Sequence, residues 1–388
     1  MYFYSIGQEG VRFLRIVSIV TLVSFFFHRG EYRNFFKNLW YPIQNRLMVF
    51  YLIFLQISQS VSIVPEYSDY AVGIIQKMVL MYFIMTAIVE SEKQLRVVMH
   101  VFIVSYILLS WWATGKYYEG FRNFDNLLMT VNFSYDRNDF AMLFAMVMPF
   151  CVLYPFTLKK FHARFIVWCF APIMMNVVYI TTSRGGFLGM VVGGISAVLG
   201  IRKKAIMAVV LIFGIMFGAR LMSEAAGTRI STIFVEPEER DAASISRISA
   251  WKRALYCIGE NPLGIGPYCF KFYRAEEVGL GGGLSTHNFY LQVAAEQGIA
   301  SGIILVFWLI ICLLDIKMIK RRAKRDQRWN NYYYYATAIE TSLYAFIVSS
   351  FFLSLSMFEP FYFLIGLVVC LKNVFYREYY KRSDYIHQ

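Results

Sequence analysis

Long apolar runs are the feature of this sequence that most restricts its fold. A helix needs roughly 20 apolar residues to cross the hydrocarbon core of a bilayer. Each run is continuous rather than alternating, and lipid admits only helices and closed barrels. The sequence therefore predicts an all-α polytopic membrane protein with about 11–12 transmembrane helices. The runs cover residues 11–27, 47–64, 70–89, 97–113, 139–157, 165–182, 186–201, 205–222, 288–314, 336–354 and 358–375.

Composition supports this interpretation and excludes a soluble protein. Of the 388 residues 58% are apolar and only 16% are charged, which is too little polar surface for a chain of this length in water. The net charge of +13 would raise the question of nucleic acid in a soluble protein. Here a charge bias between membrane loops accounts for it. The lipid bilayer is the expected partner, and no nucleic acid is expected.

Basic residues follow every second run and predict the orientation. Cytoplasmic loops carry an excess of Lys and Arg, so the segments around Lys93, Lys159, Arg202, 315–335 and Lys372 should share the cytoplasmic side. The segment 315–335 is then a basic cytoplasmic loop, and the alternate loops face out. An odd number of runs leaves the exact helix count and the side of the N-terminus open. The first ten residues lack a basic n-region, so no cleaved signal peptide is expected.

The segment 223–287 is the one large extracytoplasmic loop of what is otherwise a single transmembrane domain spanning 1–388. Apolar residues at steps of three and four predict a helix in it that lies along the membrane surface or on top of the bundle. At 100° per residue Arg247 should point into the protein and Arg253 toward water; a snorkelling surface arginine is the alternative for Arg247. Cys257 and Cys269 could form a disulfide or remain two thiols. The stripe comprises Ile245, Ile248, Trp251, Leu255 and Ile258.

His287 is the one histidine that this topology places on the outer side. It follows Ser285 and Thr286, either of which could cap the next helix, so its ring should lie in the first turn. Free backbone N–H groups and the helix dipole there favour anions and lower the pKa of a histidine. A neutral imidazole can take a proton from a hydroxyl as a general base. An interfacial histidine without a role is the alternative.

Arg184 lies at the outer junction of two runs. Gly185, Gly189 and Gly193 follow at intervals of four, a pattern that predicts close approach of another helix. Helix packing does not explain Arg184. Its planar guanidinium can donate to a pair of phosphate oxygens. An arginine that anchors the helix at the membrane interface is the alternative. A polar cluster at 136–139, which includes Arg137 and Asn138, begins another run on the same side.

Several common catalytic motifs are absent. The sequence contains no DxD pair, HExxH, GxSxG or Walker loop, so metal-bridged nucleotide-sugar transfer, zinc proteolysis, serine hydrolysis and ATP hydrolysis lack their usual residues. Two outward arginines and a neutral histidine, with no metal and no cofactor, suit an anionic leaving group and an attacking hydroxyl. A lipid-linked pyrophosphate fits that description.

Four motifs carry a resemblance to a known family. In this order and spacing they resemble the O-antigen ligase and polymerase (Wzy) superfamily of bacterial envelope enzymes. Within that superfamily, the exosortase-associated putative O-glycosylation ligases are the most similar. The motifs are SYDRNDFAMLFAMVMP, TTSRGGFLGMVVGG, SRISAWKRALYCIGENPLGIGPYCF and STHNFYLQVAAEQG.

The resemblance implies a GT-C-like glycosyltransferase of the bacterial inner membrane with its active site facing the periplasm. Such an enzyme transfers a glycan from an undecaprenyl pyrophosphate carrier to a hydroxyl of an acceptor glycan, glycolipid or glycoprotein. His287 matches the family's essential histidine, while Arg184 and Arg247 match arginines that hold the pyrophosphate. Asn138 matches the Asn of an NxxA-type motif. Arg137, Asn288 and Arg253 are candidate supporting residues.

Three functions remain open at this point. Ligation with inversion at the anomeric carbon and without metal is the leading one. Polymerisation of lipid-linked repeat units uses the same chemistry, and the motifs do not separate the two. A transporter belongs to a different class and needs ionisable groups deep within the spans. Lys77 and Glu296 are the main candidates for such groups. Two charged residues that are far apart in the sequence give little support for a transport pathway.

Overall fold

The computed structural model describes residues 35–120, 136–200, 202, 212, 242–275, 283, 285–354 and 357–386. These residues form α-helices joined by short turns and contain no β-strand. The all-α prediction is confirmed. The helices are α1 (Phe35–Trp40), α2 (Ile43–Ser60), α3 (Pro65–Ile88), α4 (Glu92–Tyr118), α5 (Arg137–Leu153), α6 (Phe161–Ile180), α7 (Arg184–Gly200), α8 (Ala242–Glu260), α9 (Phe289–Gln297), α10 (Ile299–Lys324), α11 (Asn330–Ser349) and α12 (Glu359–Ile386).

Six segments of the described chain are long and apolar enough to cross a membrane, which confirms a multi-pass membrane protein. They lie in α3, α4, α6, α10, α12 and, for Arg137–Thr157, in α5 with the short 3₁₀ helix that continues it. The apolar run 11–27 lies outside the described residues, and so does the run 205–222 apart from residue 212. The total of about 11–12 spans therefore stays a prediction.

Helix α5 forms the centre of the bundle. All its residues from Phe140 to Leu153 are buried, because α6, α7 and α11 surround it. A helix that is apolar on every side is expected in such a central position. The contact between α5 and α7 is tight: a Cβ added to Gly186 would lie only 2.5 Å from the Cβ of Ala141.

The glycine face of α7 packs against α11, as the spacing of four predicted. A side chain at Gly189 would overlap the hydroxyl of Ser349 and lie 2.8 Å from the carbonyl oxygen of Ala345. At Gly193 an added Cβ would lie 3.3 Å from the Cβ of Ala345. Small residues let two helix backbones approach this closely in a membrane protein.

The run 288–314 is not one helix, and this corrects the sequence interpretation. Gly298 separates α9 from α10 with φ of 89°, a left-handed value that L residues rarely adopt. A Cβ added there would lie 2.8 Å from the carbonyl carbon of Leu263. Most residues on both sides of the glycine are apolar, so the mean hydropathy of the run did not reveal the break.

Helix α9 turns back along α10 and carries its N-terminal end into the bundle. The ring centroid of Phe289, its first residue, lies 5.6 Å from that of Phe361. Trp308, the tenth residue of α10, lies 5.8 Å from the same ring. At 1.5 Å per residue the two positions are about 14 and 15 Å from the Gly298 turn. The residues just before α9 are therefore held at depth rather than at the tip of a loop.

The motif NPLGIGP fixes this helical hairpin. The N–H of Ile265 donates to the carbonyl of Ala295 at 3.2 Å, and the N–H of Gly266 donates to that of Glu296 at 3.0 Å. The N–H of Ile299 donates to the carbonyl of Pro262 at 3.0 Å. These bonds pair the turn with backbone groups that the helix break leaves without helical partners. The motif therefore has a structural role in the hairpin rather than a catalytic one.

The basic loops share one end of the bundle. Arg202 donates to the carbonyl of Lys324 at 2.8 Å, Asn331 to Glu92 at 3.1 Å, and Arg377 to the carbonyl of Glu90 at 2.9 Å. Within 315–335 most residues are helical, because α10 continues to Lys324 and α11 begins at Asn330.

Candidate functional site

Three helix N-termini form the opposite end of the bundle. Asp136 caps α5, since its Oδ1 accepts from the N–H groups of Asn138 at 2.7 Å and Asp139 at 2.9 Å. Ser183 caps α7 by accepting from Gly186 at 3.3 Å. Asn288 caps α9 by accepting from Leu291 at 3.1 Å. The N-terminal end of a helix carries a partial positive charge.

The segment 349–354 holds two of these N-termini together. The hydroxyl of Ser349 donates to the carbonyl of Gly185 at 3.1 Å, at the first turn of α7. The hydroxyl of Ser350 donates to that of Tyr290 at 2.9 Å, at the first turn of α9. Since α5 packs closely on α7 at Gly186, all three helix ends meet around one region. Such an arrangement favours an anion.

His287 lies one residue before the cap of α9. Its backbone N–H donates to the Oγ of Ser354 at 2.8 Å, and its φ of 47° is left-handed. The cap is Asn288, not Ser285 or Thr286 as the sequence suggested, so His287 precedes the first turn. Thr286 instead donates through its hydroxyl to the carbonyl of Asn288 at 3.0 Å, and its own carbonyl accepts from the indole of Trp251 at 2.9 Å.

The electrostatic surroundings keep His287 neutral near pH 7. Burial lowers the pKa of its imidazole, the nearby positive charge of Arg247 lowers it further, and the carboxylate of Asp136 raises it. The predicted direction of the shift is confirmed, but burial rather than the helix dipole is its main cause. A neutral imidazole beside a guanidinium can accept a proton and still face an anion.

Both predicted arginines lie at this end of the bundle. Arg247, on α8, is half-buried and within electrostatic range of His287. Arg184 is the half-buried first residue of α7, next to Gly185, where an added Cβ would lie 3.1 Å from the Cβ of Phe352. The structure thus brings Arg247 to the histidine, and it places Arg184 at a helix N-terminus joined to His287 through the segment 349–354.

The supporting candidates separate into different roles. Arg137 and Asn138 form the first turn of α5 at the site. Asn288 serves as the α9 cap, so its side-chain oxygen is used within the fold. Arg253 was expected to meet water, and this prediction is wrong: it is 2% exposed, and its guanidinium carbon lies 4.6 Å from the ring centroid of Phe270.

The exposure of Arg253 was predicted wrongly because neighbouring residues also cover a face of α8 that lies outside its apolar stripe. Ala254 and Cys257 pack there in a second cluster with Cys269 and Phe270, and both cysteines are buried free thiols. Two members of the predicted stripe, Ile248 and Leu255, are exposed. Exposed apolar side chains on this helix agree with a position along a membrane surface or the bundle top.

Two residues of the site escaped the sequence interpretation. Ser354 binds the backbone of His287 from 67 positions away, and no local pattern marks a serine for that contact. The sequence interpretation noted Asp136 only as part of a polar cluster. An aspartate directly before an apolar helical run is a recognisable capping signal, and Asp136 caps the N–H groups of Asn138 and Asp139. Over the described residues, no three His, Cys, Asp or Glu side chains cluster as metal ligands.

The fold and the site define an all-α membrane protein with an anion-favouring region at converging helix ends beside a neutral histidine. Comparison with known families agrees: residues 169–307 match the family model described as O-antigen ligase. This match supports the resemblance to the O-antigen ligase and polymerase superfamily, and the matched residues include Arg184, Arg247 and His287. The match and the apolar helices support a membrane enzyme of the ligase or polymerase type. No curated protein matches it.

Proposed function

We propose that this protein is a ligase that transfers a glycan from undecaprenyl pyrophosphate to an acceptor hydroxyl on the extracytoplasmic face of the bacterial inner membrane. One observation carries the proposal: His287 is kept neutral by burial and by Arg247, next to the N-terminal end of α9. A general base must be unprotonated at the working pH and must lie beside the reacting groups.

The proposed step begins when the Nε2 or Nδ1 of His287 accepts the proton of the acceptor hydroxyl. The hydroxyl oxygen attacks the anomeric carbon of the donor sugar, and the bond from that carbon to the pyrophosphate oxygen breaks. The electron pair stays on the departing pyrophosphate. Attack opposite the leaving group inverts the anomeric configuration. The imidazolium then releases its proton to water.

Arg184 and Arg247 are proposed to bind the pyrophosphate, because a guanidinium can donate two parallel hydrogen bonds to phosphate oxygens. The N-terminal ends of α5, α7 and α9 add partial positive charge where negative charge develops. Asn138 and Arg137, in the first turn of α5, are proposed to support donor binding. The sequence lacks a DxD pair, so the proposal includes metal-independent transfer.

The test is a reconstituted assay with lipid-linked glycan and acceptor, comparing wild type with His287→Ala. Loss of a general base lowers the rate about 10²–10⁴-fold. His162→Ala is the matched control, because His162 is exposed in the first turn of α6, at the basic end of the bundle. EDTA should leave the wild-type rate unchanged. Full turnover by His287→Ala, or a strict metal requirement, would overturn the mechanism.

A polymerase that joins lipid-linked repeat units is the second candidate, since the motifs resemble a superfamily that includes both activities and do not separate them. Product length distinguishes them in a deletion strain. Loss of a ligase leaves long chains on the lipid carrier, whereas loss of a polymerase leaves single units on the acceptor. Exosortase genes beside the coding gene would favour the narrower O-glycosylation ligases.

A further inference from the structure

A cluster of aromatic rings surrounds one lysine near the site. The Nζ of Lys271 lies 4.5 Å from the ring centroid of Tyr67, 4.5 Å from that of Tyr268 and 4.9 Å from that of Phe272. We call Tyr67, Tyr268, Lys271 and Phe272 the aromatic platform. The rings of Tyr67 and Phe272 are 4.6 Å apart at an interplanar angle of 50°.

The aromatic platform is open to a ligand. Tyr67 is 40% exposed and Phe272 is 37% exposed. Among the described residues no carboxylate forms an ion pair with Lys271. The ammonium therefore keeps donors for an outside group while its charge is stabilised by the ring faces.

The loop that carries the aromatic platform is held in a fixed shape. The carboxylate of Glu296, which is 1% exposed, accepts from the N–H of Phe270 at 3.1 Å. Tyr268 has φ of 63°, a left-handed conformation that residues other than glycine rarely adopt. A backbone held in such a conformation is characteristic of a preformed binding surface.

The aromatic platform is joined to the segment that bears His287. The carbonyl of Lys271 accepts from the N–H of Gly283 at 3.1 Å. Gly283 precedes His287 by four residues, and four extended residues span at most about 14 Å. The exposed rings therefore lie within a few sugar lengths of the proposed base.

The aromatic platform and Arg184 belong to different sides of the bundle. Helix α3, which carries Tyr67, packs on α1, α2 and α12. Tyr67 itself contacts the loop that bears Lys271. Helix α7, which carries Arg184, packs on α5, α6 and α11. Helix α9 contacts both the Phe270–Phe272 turn and the Ser350–Phe352 turn, so it lies between the two.

We propose that the aromatic platform binds pyranose rings of the acceptor glycan, an assignment that rests on the proposed function. The apolar faces of sugar rings stack on Tyr67 and Phe272, while Lys271 donates hydrogen bonds to hydroxyl or carboxylate oxygens of the same glycan. In an inverting displacement the nucleophile enters opposite the leaving group. With the pyrophosphate on the Arg184 side, the acceptor enters from the side of the aromatic platform.

The competing explanation is an aromatic belt, since Tyr and Trp are enriched at membrane–water interfaces without binding glycan. The experiment uses the full chain in nanodiscs and titrates two probes separately. The first is core oligosaccharide released from rough lipopolysaccharide, and the second is repeat-unit glycan released from its lipid carrier. Binding is followed by saturation-transfer NMR for wild type, Tyr67→Ala, Phe272→Ala and the ring-preserving Tyr67→Phe. Tyr118→Ala is the control, because Tyr118 is a 54% exposed tyrosine at the end of α4.

We expect core oligosaccharide to bind at least tenfold more weakly to Tyr67→Ala and Phe272→Ala than to wild type. Tyr67→Phe and Tyr118→Ala should bind normally, with unchanged unfolding temperatures for all variants. Unchanged binding in the two ring-removing variants, or loss only of the repeat-unit probe, would overturn the assignment. If wild type binds the core oligosaccharide by way of these rings but transfers no glycan, the proposed function fails while the binding site stands.

Discussion

The backbone N–H of His287 donates a hydrogen bond to the Oγ of Ser354 across 2.8 Å. This contact ties the proposed base to the turn that also reaches the first turn of α7 through Ser349. It also stabilises a left-handed backbone at His287, where φ is 47°. Ser354 therefore acts as a positioning residue for the imidazole.

Ser354→Ala should lower kcat about tenfold and leave the KM for the donor nearly unchanged. A lost hydrogen bond to a part-buried N–H costs about 1–3 kcal/mol, which here acts on the geometry of the base. Ser354→Thr keeps the acceptor and should restore most of the rate. Steady-state kinetics with purified protein measure both values. A Thr variant as slow as the Ala variant would assign the loss to packing instead.

The acid limb of the pH–rate profile should move in opposite directions in two variants. Arg247 lowers the pKa of His287 and Asp136 raises it. The imidazole must be neutral to act, so activity should fall as pH drops through a pKa below the ordinary 6.5. Arg247→Gln should shift that limb to higher pH, and Asp136→Asn should shift it to lower pH.

The measurement is kcat/KM from pH 4.5 to 8.5 for wild type and both variants. Arg247→Gln should also lower the maximal rate, because Arg247 is proposed to bind pyrophosphate, but the position of the limb is read independently of its height. Shifts of the same sign in both variants would show that the titrating group is not His287.

The sequence predicted those parts of the fold that depend on local pattern. Long apolar runs predicted spanning helices, and the Gly185, Gly189 and Gly193 spacing predicted the close packing of α7. The break at Gly298 was missed because its cause, the approach of Leu263, comes from a distant part of the chain. Burial of Arg253 was missed for a related reason, since helical periodicity does not say how many neighbours surround a helix.

Among the site residues, too, those marked by a local sequence pattern were predicted and those that depend on distant contacts were not. His287, Arg184 and Arg247 stood out because charged or titratable groups are rare at apolar junctions. The contact of Ser354 with His287 depends on how α11 and α12 are joined, and sequence carries no signal for it. The α9 cap was misassigned by two or three residues, since Ser, Thr and Asn are all good caps and occur together in STHN.

Gly298→Ala should destabilise the α9–α10 hairpin and abolish activity. Its φ of 89° costs an alanine of order 1–3 kcal/mol. The new methyl would also lie 2.8 Å from the carbonyl carbon of Leu263, a backbone atom that cannot rotate away. Gly73→Ala is the matched control, because a Cβ there, inside α3, has no neighbour within 4 Å.

Thermal unfolding in detergent should show a lower transition for Gly298→Ala and an unchanged or slightly higher one for Gly73→Ala. Alanine is the better helix former by about 0.5–1 kcal/mol. Equal transitions for the two variants would contradict the role given to the Gly298 turn.

Stability should decline as the buried carboxyl of Glu296 ionises. Burial raises its pKa to about 7, while hydrogen bonds from the backbone of Tyr268 and Phe270, a hydrogen bond from Gln292 and the charge of Lys271 oppose that rise. The folded protein therefore binds this proton more tightly than the unfolded chain, whose carboxyl has a pKa near 4.5. The free energy of unfolding should fall by on the order of 3 kcal/mol between about pH 4.5 and about pH 7 and should then level off.

Glu296→Gln tests this pH dependence because it keeps an oxygen that can accept from the N–H of Phe270 but carries no charge. Its unfolding temperature should be close to that of wild type near pH 5 and higher than that of wild type at pH 8. Glu66→Gln, at an exposed glutamate in the first turn of α3, should follow the wild-type curve. Other groups titrate over the same range, so the quantity to compare is the difference between wild type and Glu296→Gln at each pH. A difference that stays constant from pH 5 to 8 would show that Glu296 does not ionise in this window.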